Sequence, residues 1–141
     1  MSIGEPEKIT QAKVIDFFKD RDILDYTYLG NLEDKANTNI KEDRLRAYLQ
    51  SCGYSQVLID GAVAQLVKAA GDMTRGLYDA NKTVYSLMKY GAKVKPAPLA
   101  SEETVFFYDA EHPTNNHFAI AEEVTVIMTQ EKRPDIVIYL N

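Results

Sequence analysis

The chain has 141 residues, 45% of them apolar and 26% charged, the ordinary balance of one soluble globular domain with a core to bury. Its longest apolar run, Ile136 to Leu140, is far too short to span a bilayer, and the acidic start "MSIGEPEKIT" has no secretory h-region. The net charge of −5 excludes a protein coated in basic surface.

The elements fall into two halves, helices over about 1–92 and strands over about 103–141, within a single domain. The first helix is expected from Thr10, as N-cap, to Lys19, with Val14, Ile15, Phe17 and Phe18 on a wide apolar face. "YTYLGNLEDKANTNI" is loop chemistry, rich in Gly and Asn. A second helix covers Lys41 to Cys52, with Leu45, Tyr48 and Leu49 facing inward and Gly53 as its stop. Ser55 caps a third, whose stripe is Leu58, Ala62, Leu66 and Ala69, and Gly71 ends it. Asp79 caps a fourth, with Ala80, Val84, Leu87 and Met88 on one side and Gly91 at its end.

After the Pro-rich "KVKPAPLAS" the period changes. "ETVFFYDA" is β-rich and "EHPTNNH" is a turn. "FAIAEEVTVIM" alternates through Val124, Val126 and Met128. "TQEKRP" turns again, and "DIVIYL" is apolar on both faces, as a central strand is. The fold class expected is α+β, helices packed on a small, mainly antiparallel sheet of about three strands.

Little chemistry stands out. Cys52, the lone cysteine, is expected as a small core residue of a cytosolic protein. No Gly-rich phosphate loop is present, so the chain itself should bind no nucleotide. His112 and His117 flank a turn near Asp109 and Glu111, but their spacing suits neither a helix nor a strand face, and surface histidines are the simpler reading. Glu122 and Glu123, being adjacent, face opposite sides of a strand.

Two features carry more. Lys68, Arg75, Lys82, Lys89, Lys93 and Lys95 against Asp72 and Asp79 make a local charge of +4 on an otherwise acidic chain. Arg75, Lys82 and Lys89 recur every seven residues, interleaved with Tyr78 and Tyr85 and followed by Tyr90, which suits contact with a duplex backbone. The plainer account is a solvated helix face with its tyrosines tucked against the core. The second feature is Asp135, placed after Pro134 at the mouth of the last strand. A carboxylate presented there can hold a hard cation such as Mg²⁺, given a second acid and a lysine nearby. On its own it is more often a solvated strand end.

The stretches "YLGNLEDKANTNIKEDRLRAYLQSCGYS", "GLYDANKTVYSLMKYGAKVK", "NNHFAIAEEVTV" and "KRPDIVIYLN" resemble the N-terminal region of the R (restriction or motor) subunit of type I restriction–modification enzymes. The resemblance implies an incomplete PD-(D/E)xK nuclease domain, the start of a cytoplasmic, site-specific deoxyribonuclease subunit. Mg²⁺ would serve cleavage, and ATP would drive translocation in domains absent from this chain. The partners implied are double-stranded DNA and the modification and specificity subunits, with no membrane. "RPD" matches the PD element, making Asp135 the first metal-binding and catalytic carboxylate. The E-x-K element would lie beyond Asn141, so the chain alone is expected to be inactive. Arg75, Lys82, Lys89 and Lys93 are the expected DNA contacts. The alternative is a non-catalytic DNA-binding or subunit-assembly module.

Overall fold

The computed structural model describes residues 5–35, 37–127 and 131–141. In chain order the elements are α1 (Glu5–Lys19), β1 (Thr27–Asn31), α2 (Glu42–Ser51), α3 (Gln56–Gly71), α4 (Leu77–Tyr90), β2 (Ala92–Val94), β3 (Glu103–Val105), β4 (Phe118–Glu122), β5 (Val126–Ile127), β6 (Glu131–Lys132) and β7 (Ile136–Leu140). The chain is mixed α and β, with four helices and a small sheet among the described residues. No helix among them is long and apolar enough to cross a membrane. Two compact units form: residues 1–39 with 117–140, and residues 40–116 with Asn141.

The first unit is built on the sheet β1-β4-β7. Its two ladders differ in sense, β1 running parallel to β4 and β7 antiparallel to it, while the ribbons β2-β3 and β5-β6 are antiparallel. β4 is the central strand, and Ala119, Ile120 and Ala121 are wholly buried. The expectation that "DIVIYL" is central is therefore corrected. β7 lies at the edge, with Ile138 49% and Leu140 39% exposed. Apolarity on both faces does not tell a strand flanked on both sides from one whose outer edge is open.

β1 was expected as loop. Its pairing is non-local, Thr27 with Ala119 and Tyr28 with Ile120, and one extra residue between Tyr28 and Asn31 makes a bulge at Leu29–Gly30. Gly30 takes φ +93, which its lack of a Cβ permits, so the turn chemistry read there belongs to the bulge. One sheet face buries Leu32, Ala119, Ala121, Val124 and Tyr139 together. Tyr26 stacks on Phe118 at 5.0 Å and meets Phe18 at 5.1 Å. Phe17 is half exposed, so the apolar face of α1 is narrower than expected.

α1 begins five residues before the expected cap. Pro6, which has no N–H to lose, suits the first turn, and the Thr10 hydroxyl donates to the Pro6 carbonyl at 3.0 Å from inside the helix. "FAIAEEVTVIM" is not one strand. Glu123 bends the chain at φ +53, and β5 pairs with β6 as a separate antiparallel ribbon where "EKRP" was read as turn. Met128, Thr129 and Gln130 lie outside the described residues.

The second unit packs α2, α4, β2 and β3 around α3. Ser55 caps α3 as expected, accepting from Leu58 N, and Leu58, Ala62, Leu66 and Ala69 are buried with Leu45, Tyr48 and Leu49 of α2. Ile59, Val63, Val105 and Phe107 are almost fully enclosed, each contributing about 1.5–3 kcal/mol of transfer free energy. Asp79 is not the cap of α4: Gly76 holds that place, and Asp79 sits in the first turn, where its charge favours the helix dipole. β2, unforeseen, pairs antiparallel with β3. α3 approaches β2 closely because residue 61 is glycine; a Cβ there would meet Val94 Cγ1 at 2.6 Å. Cys52 is exposed rather than in the core, because it follows α2 off the buried Leu45–Tyr48–Leu49 face.

Candidate functional site

Asp135 is exposed at the bend that leads into β7. Its backbone is fixed: the Asp135 carbonyl accepts from Glu123 N at 2.9 Å, and the Pro134 carbonyl from Val124 N at 3.1 Å. Its side chain is not locked away. The residue lines an open groove of about 450 Å³ with Pro6, Glu7, Thr10, Gln11, Val14 and Ile136. Among the described residues its carboxylate has no ion pair. The neighbouring Arg133 is engaged elsewhere, its Nε 3.1 Å from Glu123 Oε2 and its guanidinium also bonded to Glu33.

Glu7 and Gln11 are the groove residues that sequence reasoning missed. They share one face of α1 with Thr10 and Val14, at i, i+3, i+4 and i+7, and that period was readable once the helix is started at Glu5. Gln11 Nε2 also donates to Glu123 Oε1 at 3.3 Å. Of the adjacent acids, only Glu122 lies on a strand. It accepts from Tyr28 OH at 2.8 Å.

The histidines do not build a metal centre. His112 Nδ1 is 3.6 Å from Asp109 Oδ2, and His117 belongs to the other unit. Asp109 instead organises its turn, accepting from Glu111 N, His112 N and Asn115 Nδ2. The Asn115 hydrogen bond foremost, then that of His112 N, holds its carboxyl below the usual range. Among the described residues no three His, Cys, Asp or Glu side chains cluster to hold an ion.

A family model described as the N terminus of the type I restriction enzyme R protein matches residues 5–141. The chain belongs to that family. No curated protein matches it, and no solved structure does.

In this R-protein N terminus the four basic residues expected at DNA occupy three different settings. Arg75 lies in the turn before α4, beside Asp72, so the seven-residue period does not carry it onto the helix. Lys82 and Lys89 do share a face of α4, roughly 20° apart in projection. Lys93 points outward from β2, and its Nζ donates to Thr104 Oγ1 of β3 at 2.5 Å. The tyrosines between them are not tucked inward. Tyr78, Tyr85 and Tyr90 are 78%, 63% and 60% exposed, and Lys89 Nζ lies 5.2 Å from the Tyr90 ring centre and 5.9 Å from that of Tyr85. The hydrogen bond with Tyr90, above all, raises the pKa of the Lys89 ammonium.

Tyr28 gives a local test of the sheet. Tyr28 is 37% exposed; the partial loss of water around it, and then its bond to the Glu122 carboxylate, push its phenol from 10.0 up to about 12. The stabilisation linked to that shift is full below pH 10 and is lost as the pH climbs through about 12. In an ultraviolet titration of the tyrosinates, Glu122→Gln should bring one late-titrating tyrosine back toward 10; an unchanged curve would deny the contact.

Proposed function

We propose that this chain is the first part of a PD-(D/E)xK nuclease domain, and that Asp135 supplies the first metal-binding carboxylate of the R subunit. In the intact protein the site cuts double-stranded DNA with Mg²⁺, coupled to ATP-driven translocation by motor domains outside this chain. The modification and specificity subunits are its partners, and the complex works in the cytoplasm. The observation that carries the reading is the open position of Asp135, on a fixed backbone and in a groove, within a chain of this family.

The donors fit the ion in kind. Mg²⁺ takes hard oxygens, often one or two carboxylates with water and a substrate phosphate, and the groove offers Asp135 and Glu7. Bound there, the ion would stabilise the attacking water and the charge developing on the phosphate. Asp135 would hold and orient it, and Pro134 would stiffen the approach to β7. Two acids in an open groove still lack the lysine of the family pattern. We place the E-x-K element beyond Asn141, on a strand that would pair with the outer edge of β7. Supporting this, β7 comes last in the order β1-β4-β7, and Ile138 and Leu140 on it are 49% and 39% exposed.

The 141-residue chain should therefore leave supercoiled plasmid intact in Mg²⁺. Cleavage that disappears on Asp135→Ala would mean that the site is complete without a lysine from outside. The second reading, a non-catalytic DNA-binding or assembly module, draws on the exposed tyrosines and lysines of α4. It predicts an intact subunit that cuts normally without Asp135.

A further inference from the structure

We propose that the outward face of α4 is a stacking platform for an unpaired nucleic-acid strand, with Tyr78 and Tyr85 receiving bases and Lys82 and Lys89 receiving phosphates. The inference rests on reading this unit as nucleic-acid-facing and adds which form of nucleic acid it takes.

The four residues stand at i, i+4, i+7 and i+11, within a sector of roughly 60°. Tyrosine and lysine alternate along it. The opposite side carries Ala80, Val84, Leu87 and Met88, which face the core. An amphipathic helix needs no aromatic ring on its wet side, yet three rings lie more than half exposed here. The acid on the helix, Asp79, borders this sector, about 60° from Lys82 and about 100° from Tyr78.

Magnitudes decide between duplex and strand. Two lysines neutralise about two phosphates, which gives a salt slope of only about −1.8 on duplex DNA. That is weak anchoring. A base stacked on an aromatic ring adds a factor of about ten or more by itself. A duplex keeps its base faces closed, and an unpaired strand offers them. The axial distance from Tyr78 to Tyr85, about 10 Å, matches roughly three stacked nucleotides.

Lys89 joins the stripe to a pocket. With Tyr48, Tyr54, Met88, Phe106 and Tyr108 it lines a cavity of about 410 Å³, within the range of ligand sites. Asp109 and Glu111 also line it and disfavour a phosphate inside, so the pocket suits the terminal base of a strand whose backbone stays at Lys89.

The test is fluorescence anisotropy of the 141-residue chain with labelled oligothymidylate, a duplex of equal length, and inorganic polyphosphate as competitor. The strand should bind more tightly than the duplex. Tyr78→Ala with Tyr85→Ala should weaken strand binding about tenfold or more and leave the salt slope unchanged, and phenylalanine at both positions should restore it. Lys82→Ala with Lys89→Ala should reduce the slope by about 1.4. Unchanged strand binding in the tyrosine variant, or competition by polyphosphate as effective as by the strand, would overturn the inference and leave the face a simple polyanion surface. Absence of binding to either DNA form would overturn both it and the nucleic-acid reading of the unit.

Discussion

If Asp135 holds the metal as proposed, Asp135→Ala in the intact R subunit should lower DNA cleavage by about a thousandfold or more, with ATP hydrolysis retained. A bound metal supplies several kcal/mol of charge stabilisation, and each 1.36 kcal/mol is a factor of ten in rate. Asp135→Asn should fall as far, because the amide keeps the shape and loses the charge that Mg²⁺ requires. Little of the loss should come from unfolding, since Asp135 is exposed and only its backbone oxygen is used by the sheet. Plasmid linearisation and ATP turnover measured on the same preparations separate the two activities. A variant that cuts at the parent rate removes Asp135 from the chemistry and leaves the assembly-module reading.

Gly91→Ala should lower the melting temperature by on the order of 10–20 °C. Gly91 ends α4 at φ 79, ψ 169, a region that only glycine occupies freely, and its N–H donates to the Leu87 carbonyl at 2.9 Å. Occupying it with alanine costs about 1–3 kcal/mol. The added Cβ would also lie 2.7 Å from Thr104 Cγ2 and 2.8 Å from the Val105 carbonyl oxygen. The oxygen belongs to β3 and cannot rotate aside, so overpacking adds about 1–3 kcal/mol more. Against a total stability of about 5–15 kcal/mol, the sum is severe. Thermal melts followed by circular dichroism check it; a shift within about 2 °C of the parent would mean that β3 yields to the methyl group.

The helical unit was legible because its signals are local. Ser55, the Leu58–Ala62–Leu66–Ala69 stripe and the glycines at 53 and 91 each act within a turn or two of where they stand. The sheet was less so. β1 owes its conformation to β4, far along the chain, and nothing near Tyr28 announces that partner. β7 declared itself a strand but not its place, since Ile138 and Leu140 read as buried residues and are not. Asp135 could be picked out, but its groove-mates could not, because the helix was started at Thr10, which left Glu7 outside it and the face it shares with Gln11 incomplete. The exposure of Tyr78 and Tyr85 was also beyond periodicity, which places a residue on a face without saying what covers that face.

The order in which the units fold follows from how the chain is threaded. Residues 40–116 are continuous and carry three of the four helices, so they can condense as one unit, even during synthesis. β1 must wait for β4, and joining Thr27 to Ala119 through a free coil of that length would cost about 4 kcal/mol of closure entropy. A prefolded insert replaces that coil with a compact body. Damage to the helical insert should therefore slow formation of the sheet that positions Asp135, even though no residue of the insert belongs to it.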